Sequence, residues 1–193
     1  HDLAPAATAL AAQPAPTELR GLLRAMNAYY SNRIEGQHTR PLELEQALRK
    51  DFSGDARLAR RQRLAIAHID TEVAMEARYA GPAGAADLYT AQAVQEIHTA
   101  LFSRLPAADL HTDDGAPNQP GRFRQRDVSV GQHVAPQATS VGAFLNRWAT
   151  FYAGVRRGDA SLVAVAAAHQ RLAWIHPFVD GNGRVTRLHT HAL

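Results

Sequence analysis

The sequence contains no cysteine, which excludes disulfides and thiolate metal sites and fits a cytoplasmic protein. It lacks any apolar run of the roughly 18 residues that a membrane helix needs, so no membrane partner is expected. No Walker A sequence is present, which excludes a P-loop ATPase. Lysine is almost missing: Lys50 is the only one, and the formal charge of +3 is carried by arginine. Arg- and Ala-heavy usage of this kind reflects a GC-rich genome rather than a nucleic-acid surface. One dense basic cluster, RLARRQR (57–63), reads either as a solvated helix face or as a docking patch for an acidic partner. The start, HDLAPAATALAAQPAP, has no basic-then-apolar layout and reads as a flexible leader over 1–16 rather than a signal peptide. The end, RLHTHAL, reads as if cut inside a helix, so a fragment of a longer protein is expected.

What remains is an ordinary globular composition, with 46% hydrophobic and 20% charged residues over 193 positions. Most of it has helical periodicity. Residues 17–36 carry Leu19, Leu22, Leu23, Met26 and Tyr30 as an apolar stripe, and 40–50 carry Leu42, Leu44 and Leu48 behind a first-turn proline. Residues 57–80 and 88–105 repeat the pattern, the second through Val94, Ile97, Leu101 and Leu105. The Asp/Gly/Pro/Asn-rich stretch 107–126 predicts a long loop, and 126–137 a very short hairpin turning near Gly131. Helix resumes over 141–155 and 160–175, the second Ala-rich and suited to a central, buried position. The fold class expected is all-α with a small hairpin. No internal repeat is visible.

The chemistry gathers in His176–Arg187, HPFVDGNGRVTR. His176-Pro177 breaks the preceding helix, because the residue before proline is pushed out of helical geometry. VDGNG is then a tight turn, and a new helix starts at about Gly183. A glycine-rich turn at a helix start points backbone N–H groups outward and attracts phosphate. Gly181 and Gly183 let the backbone approach a ligand, and Asn182 has a side-chain amide to donate. Arg184 and Arg187 lie on one side of the helix, which suits a polyphosphate. Asp180 conflicts with that anion unless Mg²⁺ lies between them. His176 is the natural base for an attacking hydroxyl. The chemistry implied is transfer of part of a nucleotide to a hydroxyl.

HPFVDGNGRVTR resembles the Fic family signature, HPFx[D/E]GNGRxxR, at every defined position, and the likeness extends across most of 85–193. The resemblance implies a Fic-type helical bundle and an Mg²⁺-dependent protein adenylyltransferase that moves AMP from ATP to a hydroxyl side chain of a target protein. It makes His176 the general base, Asp180 the Mg²⁺ ligand, Gly181, Asn182 and Gly183 the anion hole, and Arg184 and Arg187 the phosphate clamps. Phe178 becomes an anchor beneath the loop. The hairpin DVSVGQHV (127–134) matches the family's flap, which pairs with an extended stretch of the target; Val130 and His133 are the expected flap contacts. The same hairpin also reads as a plain connecting loop.

YYSNRIEGQ (29–37) is on its own a helix end with a C-cap glycine. Beside the Fic likeness, Ser31, Glu35 and Gly36 resemble the inhibitory motif [S/T]xxxE[G/N], here N-terminal to the core, as in class II members of the family. The likeness implies that Glu35 pairs with Arg187 and denies ATP a γ-phosphate clamp. The expected organisation is a leader (1–16), an N-terminal helical region bearing the inhibitory helix (17–84), and a Fic core (85–193). Two other readings stay open: an enzyme that removes AMP, and a non-catalytic nucleotide-sensing module. The unaltered GNG argues against the phosphate-transferring relatives. Many relatives form homodimers, and nucleic acid enters only through a segment not present here. His189 and His191 point apart on a helix with no third ligand evident, and read as structural or solvent-facing.

Overall fold

The structure, a computed structural model, describes residues 16–80, 87–154 and 159–193. The leader expected over residues 1–16 lies outside them except for Pro16, as does the boundary expected between 84 and 85. Among the described residues the chain forms seven α-helices: α1 (Thr17–Ile34), α2 (Pro41–Leu48), α3 (Ala56–Arg78), α4 (Ala91–Phe102), α5 (Val141–Tyr152), α6 (Asp159–Ile175) and α7 (Asn182–Ala192). A two-residue hairpin, β1 (Ser129–Val130) with β2 (His133–Val134), pairs antiparallel around Gly131, whose φ is +58°. The mostly helical architecture with one small sheet is the fold class expected.

The helices start where capping chemistry allows. Asp55 accepts from the Leu58 N–H at 2.8 Å and Thr90 from the Ala93 N–H at 3.0 Å, each satisfying a first-turn donor. Pro41 opens α2, and Glu43 reaches back to accept from the Arg40 N–H at 2.7 Å. The core is built around α4. Its Val94, Ile97, Leu101 and Phe102 are fully buried against Leu145 and Trp148 of α5, Leu172 and Ile175 of α6, and Val185 and Leu188 of α7. Trp148 donates its indole N–H to the Ala168 carbonyl at 3.0 Å, so its polar atom is not wasted.

Three expectations change. The apolar stripe of α1 faces outward: Leu22 is 58% and Ile34 67% exposed, while Ala28, Ser31 and Asn32 are buried. The reason is polar. Arg24 donates to Glu76, Asn27 to Glu72 and Asn32 to the Arg61 carbonyl, so α1 docks on α3 by its hydrogen-bonding face. Of the α2 leucines only Leu44 is buried. The Ala-rich α6 is central only at its C-terminal end, through Ala168, Leu172 and Ile175; Leu162 and Val163 are exposed.

The basic cluster is neither a free face nor a free patch. Arg60 donates to the carbonyls of Asp109 (3.3 Å) and His111 (2.8 Å), Arg61 to that of His38 (3.2 Å), and Arg63 to the Asp109 carboxylate (2.6 Å). Arg60 and Arg63 fasten the long loop after α4, which is irregular as expected apart from a short 3₁₀ turn at Ala107–Asp109, and Arg61 fastens the turn after α1.

Burial also keeps three histidines neutral. It lowers His68 to about 3, and His98 and His189 to about 4. Each takes up a proton more readily unfolded than folded, so stability is whole above about pH 6.5 and falls with pH toward 4. Each pKa unit of depression withdraws about 1.4 kcal/mol. Urea midpoints should therefore decline steadily from pH 6.5 to 4.5; a flat profile would contradict neutral burial of these rings.

Candidate active site

The site is the join between α6 and α7. After Ile175 the chain turns at His176, which takes φ +52° just before Pro177. A left-handed non-glycine residue is uncommon and is tolerated where surrounding contacts enforce it. Here Arg124 supplies them. Its side chain is fully buried and donates to the carbonyls of His176 (2.8 Å), Ile175 (3.4 Å), Arg126 (3.1 Å) and Pro136. One guanidinium thus joins the end of α6 to both flanks of the hairpin. Sequence reasoning missed Arg124, which sits inconspicuously in RFRQR.

Phe178 is fully buried, stacked on the His98 ring with centroids 3.9 Å apart. His98 accepts from the Gly121 N–H through Nδ1 (2.8 Å) and donates from Nε2 to the Asp180 carbonyl (3.2 Å), which fixes its tautomer. His98 is a second residue the sequence did not reveal, because it acts from the middle of α4 on a loop eighty residues away in the chain.

Two residues expected at the ligand also hold the loop. The Asn182 side chain accepts from the Phe178 N–H at 2.8 Å and donates to the Phe178 carbonyl at 2.9 Å. Its carbonyl and one of its two N–H donors are used within the loop, so Asn182 shapes the turn from inside. Gly181 has φ +78°, and a Cβ there would overlap the Phe102 ring. Glycine is therefore required here by the turn and by the packing.

Gly183 is different. A Cβ on it would fall on Glu35 Oε1 and lie 3.0 Å from Arg187 Nη1. No side chain caps α7, so its first N–H groups are without helical partners. The Glu35 carboxylate therefore lies over the open, positive end of α7. It accepts from Arg187 Nη2 at 2.6 Å, and Ser31 Oγ accepts from Arg187 Nε at 2.9 Å. Arg184 is fully buried and donates to Gln37 Oε1 (2.7 Å) and Asn32 Oδ1 (3.4 Å). Burial lowers its pKa, opposed by Asp180 and Glu35. Gly36, at φ +71°, ends α1 and turns the chain so that Gln37 reaches Arg184.

Asp180 anchors one carboxylate oxygen on the Gly181 N–H (2.6 Å), while Oδ2 stands 3.7 Å from Arg60 Nη2. A polar cavity of about 230 Å³ opens beside it, lined by Glu35, Gln37, Thr112, Asp113, Asp180 and Arg184. A carboxylate with one oxygen turned to such a cavity suits Mg²⁺, which binds through one or two carboxylates and keeps its remaining positions for water and phosphate. His176 is pushed below its ordinary pKa by burial, aided by Arg124 and His133 and opposed by the Ala173 carbonyl and Glu35. Its imidazole is neutral near pH 7, the form that accepts a proton. In the hairpin, Val130 is exposed, but His133 donates to the Trp174 carbonyl at 2.9 Å and ties the flap down.

The fold is thus a mostly helical domain that gathers a histidine and two arginines around a helix N-terminus. The sequence model of the Fic/DOC family matches residues 88–193, and the chain belongs to that family. Among curated relatives, the protein adenylyltransferase Fic of Drosophila virilis is 40% identical over 73 residues, which are 37% of this chain and 15% of that protein. That of Drosophila ananassae is 38% identical over the same length and shares. The chain thus covers only a small part of these relatives. Among solved structures, a Fic family protein from Desulfovibrio desulfuricans G20 superposes with a TM-score of 0.70 at 21% identity, covering 92% of this chain and 49% of that one. A Fic domain containing signaling protein from Bacteroides thetaiotaomicron VPI-5482 gives 0.68 at 18%, covering 94% and 67%. At those identities the likeness concerns the fold.

The two glycines should respond differently to alanine. Gly181→Ala combines left-handed strain with overlap of a buried ring and should cost about 2–4 kcal/mol in urea unfolding. Gly183→Ala meets only side-chain ends and should cost under about 1 kcal/mol. Equal losses would contradict the separate roles given to the two positions.

Proposed function

We propose that this chain transfers AMP from ATP to a hydroxyl side chain of a target protein and is restrained by Glu35. The observation that carries this reading is the place of the Glu35 carboxylate: paired with Arg187 at 2.6 Å and pressed against Gly183 at the start of α7. An anion already sits where backbone N–H groups and a guanidinium converge. A phosphate brings the same kind of charge to the same donors. The naming of relatives as protein adenylyltransferases supports the choice of nucleotide and reaction.

The proposed chemistry follows from the side chains. Neutral His176 removes the proton of the target hydroxyl, and the oxygen attacks the α-phosphorus of ATP. The bond from that phosphorus to the bridging oxygen breaks, releasing pyrophosphate and leaving AMP on the target. Arg184, buried with only amide oxygens as direct partners, gains a counter-charge when a phosphate enters the adjoining cavity. Arg187 holds the terminal phosphate once Glu35 withdraws. Arg60, 3.7 Å from Asp180, adds positive charge near the phosphates. Mg²⁺, held by Asp180, would neutralise phosphate charge. The exposed edge at Val130 and Val134 offers main-chain pairing to an extended target segment, with little demand on its sequence.

In this reading the brake works by competition. With Glu35 in place, Arg187 is spent and the anion nest is filled, so a triphosphate binds poorly or out of line.

The test is incubation with Mg²⁺ and ATP labelled at the α- or γ-phosphate. Glu35→Gly should incorporate α-label at least about tenfold faster than the unmodified chain, with no γ-label. Adding His176→Ala to Glu35→Gly should lower incorporation by about a hundredfold or more. Equal labelling with and without Glu35 would contradict the brake. Absence of label in both would favour a nucleotide-sensing module.

A further inference from the structure

A second cluster of ionisable groups lies where α1, α3 and α7 meet. Glu72 and Glu76, one turn apart on α3, converge with His191 near the end of α7. His191 Nε2 is 3.2 Å from Glu72 Oε1 and 3.2 Å from Glu76 Oε1, and all three atoms lie within 4.8 Å of one another. Ligand atoms on a tetrahedral ion with bonds of about 2.0–2.1 Å stand about 3.3 Å apart. Two of the three separations match that spacing without any movement of the chain.

The cluster has unmet needs. Glu72 is 2% exposed, a burial that a carboxylate tolerates only when well paired. Among its other neighbours Asn27 Nδ2 donates to it at 3.3 Å, while Arg24 Nε at 3.9 Å and His68 Nε2 at 4.0 Å stand beyond hydrogen-bond reach. His68 is the telling residue. It is 3% exposed, precedes Glu72 by one helical turn on the same face, and aims Nε2 at the Glu72 carboxylate. Its Nδ1 is buried with no hydrogen-bond partner among the described residues, as is Arg24 Nε beside it. These open polar atoms, Arg24 Nε beside Glu72 among them, show a junction whose hydrogen bonding the described residues leave incomplete.

We propose that Glu72, Glu76 and His191 form a binding site for a divalent transition-metal ion of the Zn²⁺ type, with His68 standing behind Glu72 as the inner wall. Mixed imidazole and carboxylate donors suit such an ion better than Mg²⁺ or Ca²⁺, which take oxygen ligands. The site is separate from Asp180, and no residue is shared between the two sets. It also bears on α1, because Arg24 now shares Glu76: it donates to Oε2 while Oε1 faces His191. An ion among these groups competes with Arg24 for that carboxylate, so occupancy alters one of the ties that hold α1 to α3. Arg24 is partly exposed and has solvent to swing into.

The sequence hid this arrangement. The His-Thr-His pair has its ring positions two apart, and the carboxylates that complete the set lie on a helix more than a hundred residues earlier.

The test uses the untagged chain, titrated with Zn²⁺ against a chromogenic chelator in excess Mg²⁺. One ion per chain should bind. His191→Ala and Glu76→Gln, both at partly exposed positions that leave the core intact, should each weaken binding by about tenfold or more. His38→Ala, remote from the cluster, should leave it unchanged. No Zn²⁺ binding, or binding that His191→Ala leaves intact, would overturn the proposal and leave a water-filled polar junction between the helices.

Discussion

A negative charge over the first turn of α7 organises the functional half of this molecule. The Glu35 carboxylate meets the open helix end at Gly183 and the Arg187 guanidinium at 2.6 Å, while Ser31 holds the same arginine from the turn before. Everything else about α1 follows from delivering that carboxylate. Its buried face is Ala28, Ser31 and Asn32, and its polar partners are Arg61, Glu72, Glu76, Arg184 and Arg187. Its leucines are left outside. The helix is therefore positioned by directional hydrogen bonds and ion pairs rather than by burial of its apolar stripe, a means of docking that specifies register and weakens when a competing charge arrives.

The loop beneath is built the opposite way. Phe178 is locked between His98 and the core, Asn182 closes a two-bond ring onto the Phe178 backbone, and Arg124 gathers four carbonyls around His176. Such a loop is held by its own bonds without any ligand, so the open N–H groups of α7 are already in place. A rigid cradle and a displaceable carboxylate fit together: only the second has to move for a ligand to enter.

The family and the helix break were legible from residues 176–187, because polar residues at fixed spacing around glycines leave a dense local signal. The helices were equally clear where apolar periodicity coincided with burial, as in α4. Legibility failed where a residue's role depended on partners distant in the chain. Asn182 read as a ligand donor, and its bonds to the Phe178 backbone, which shape the loop, were not visible. RLARRQR looked like a surface patch until Arg60 and Arg63 were found fastening the loop at Asp109 and His111. The stripe of α1 misled for a related reason: periodicity reports where apolar residues lie on a helix, and polar pairing decided which face turned inward. His98 and Arg124 carried no motif at all, since each acts on backbone groups.

The central claim is that Glu35 occupies a phosphate position. Its most direct test is the affinity of the chain for ATP and for AMP, measured by calorimetry with and without Glu35→Gln, a change that removes charge while keeping size. Glu35→Gln should tighten ATP by about tenfold, equivalent to about 1.4 kcal/mol, and leave AMP unchanged, because AMP lacks the terminal phosphates that compete for Arg187. Identical ATP affinity in the two proteins, or an equal gain for AMP, would contradict it.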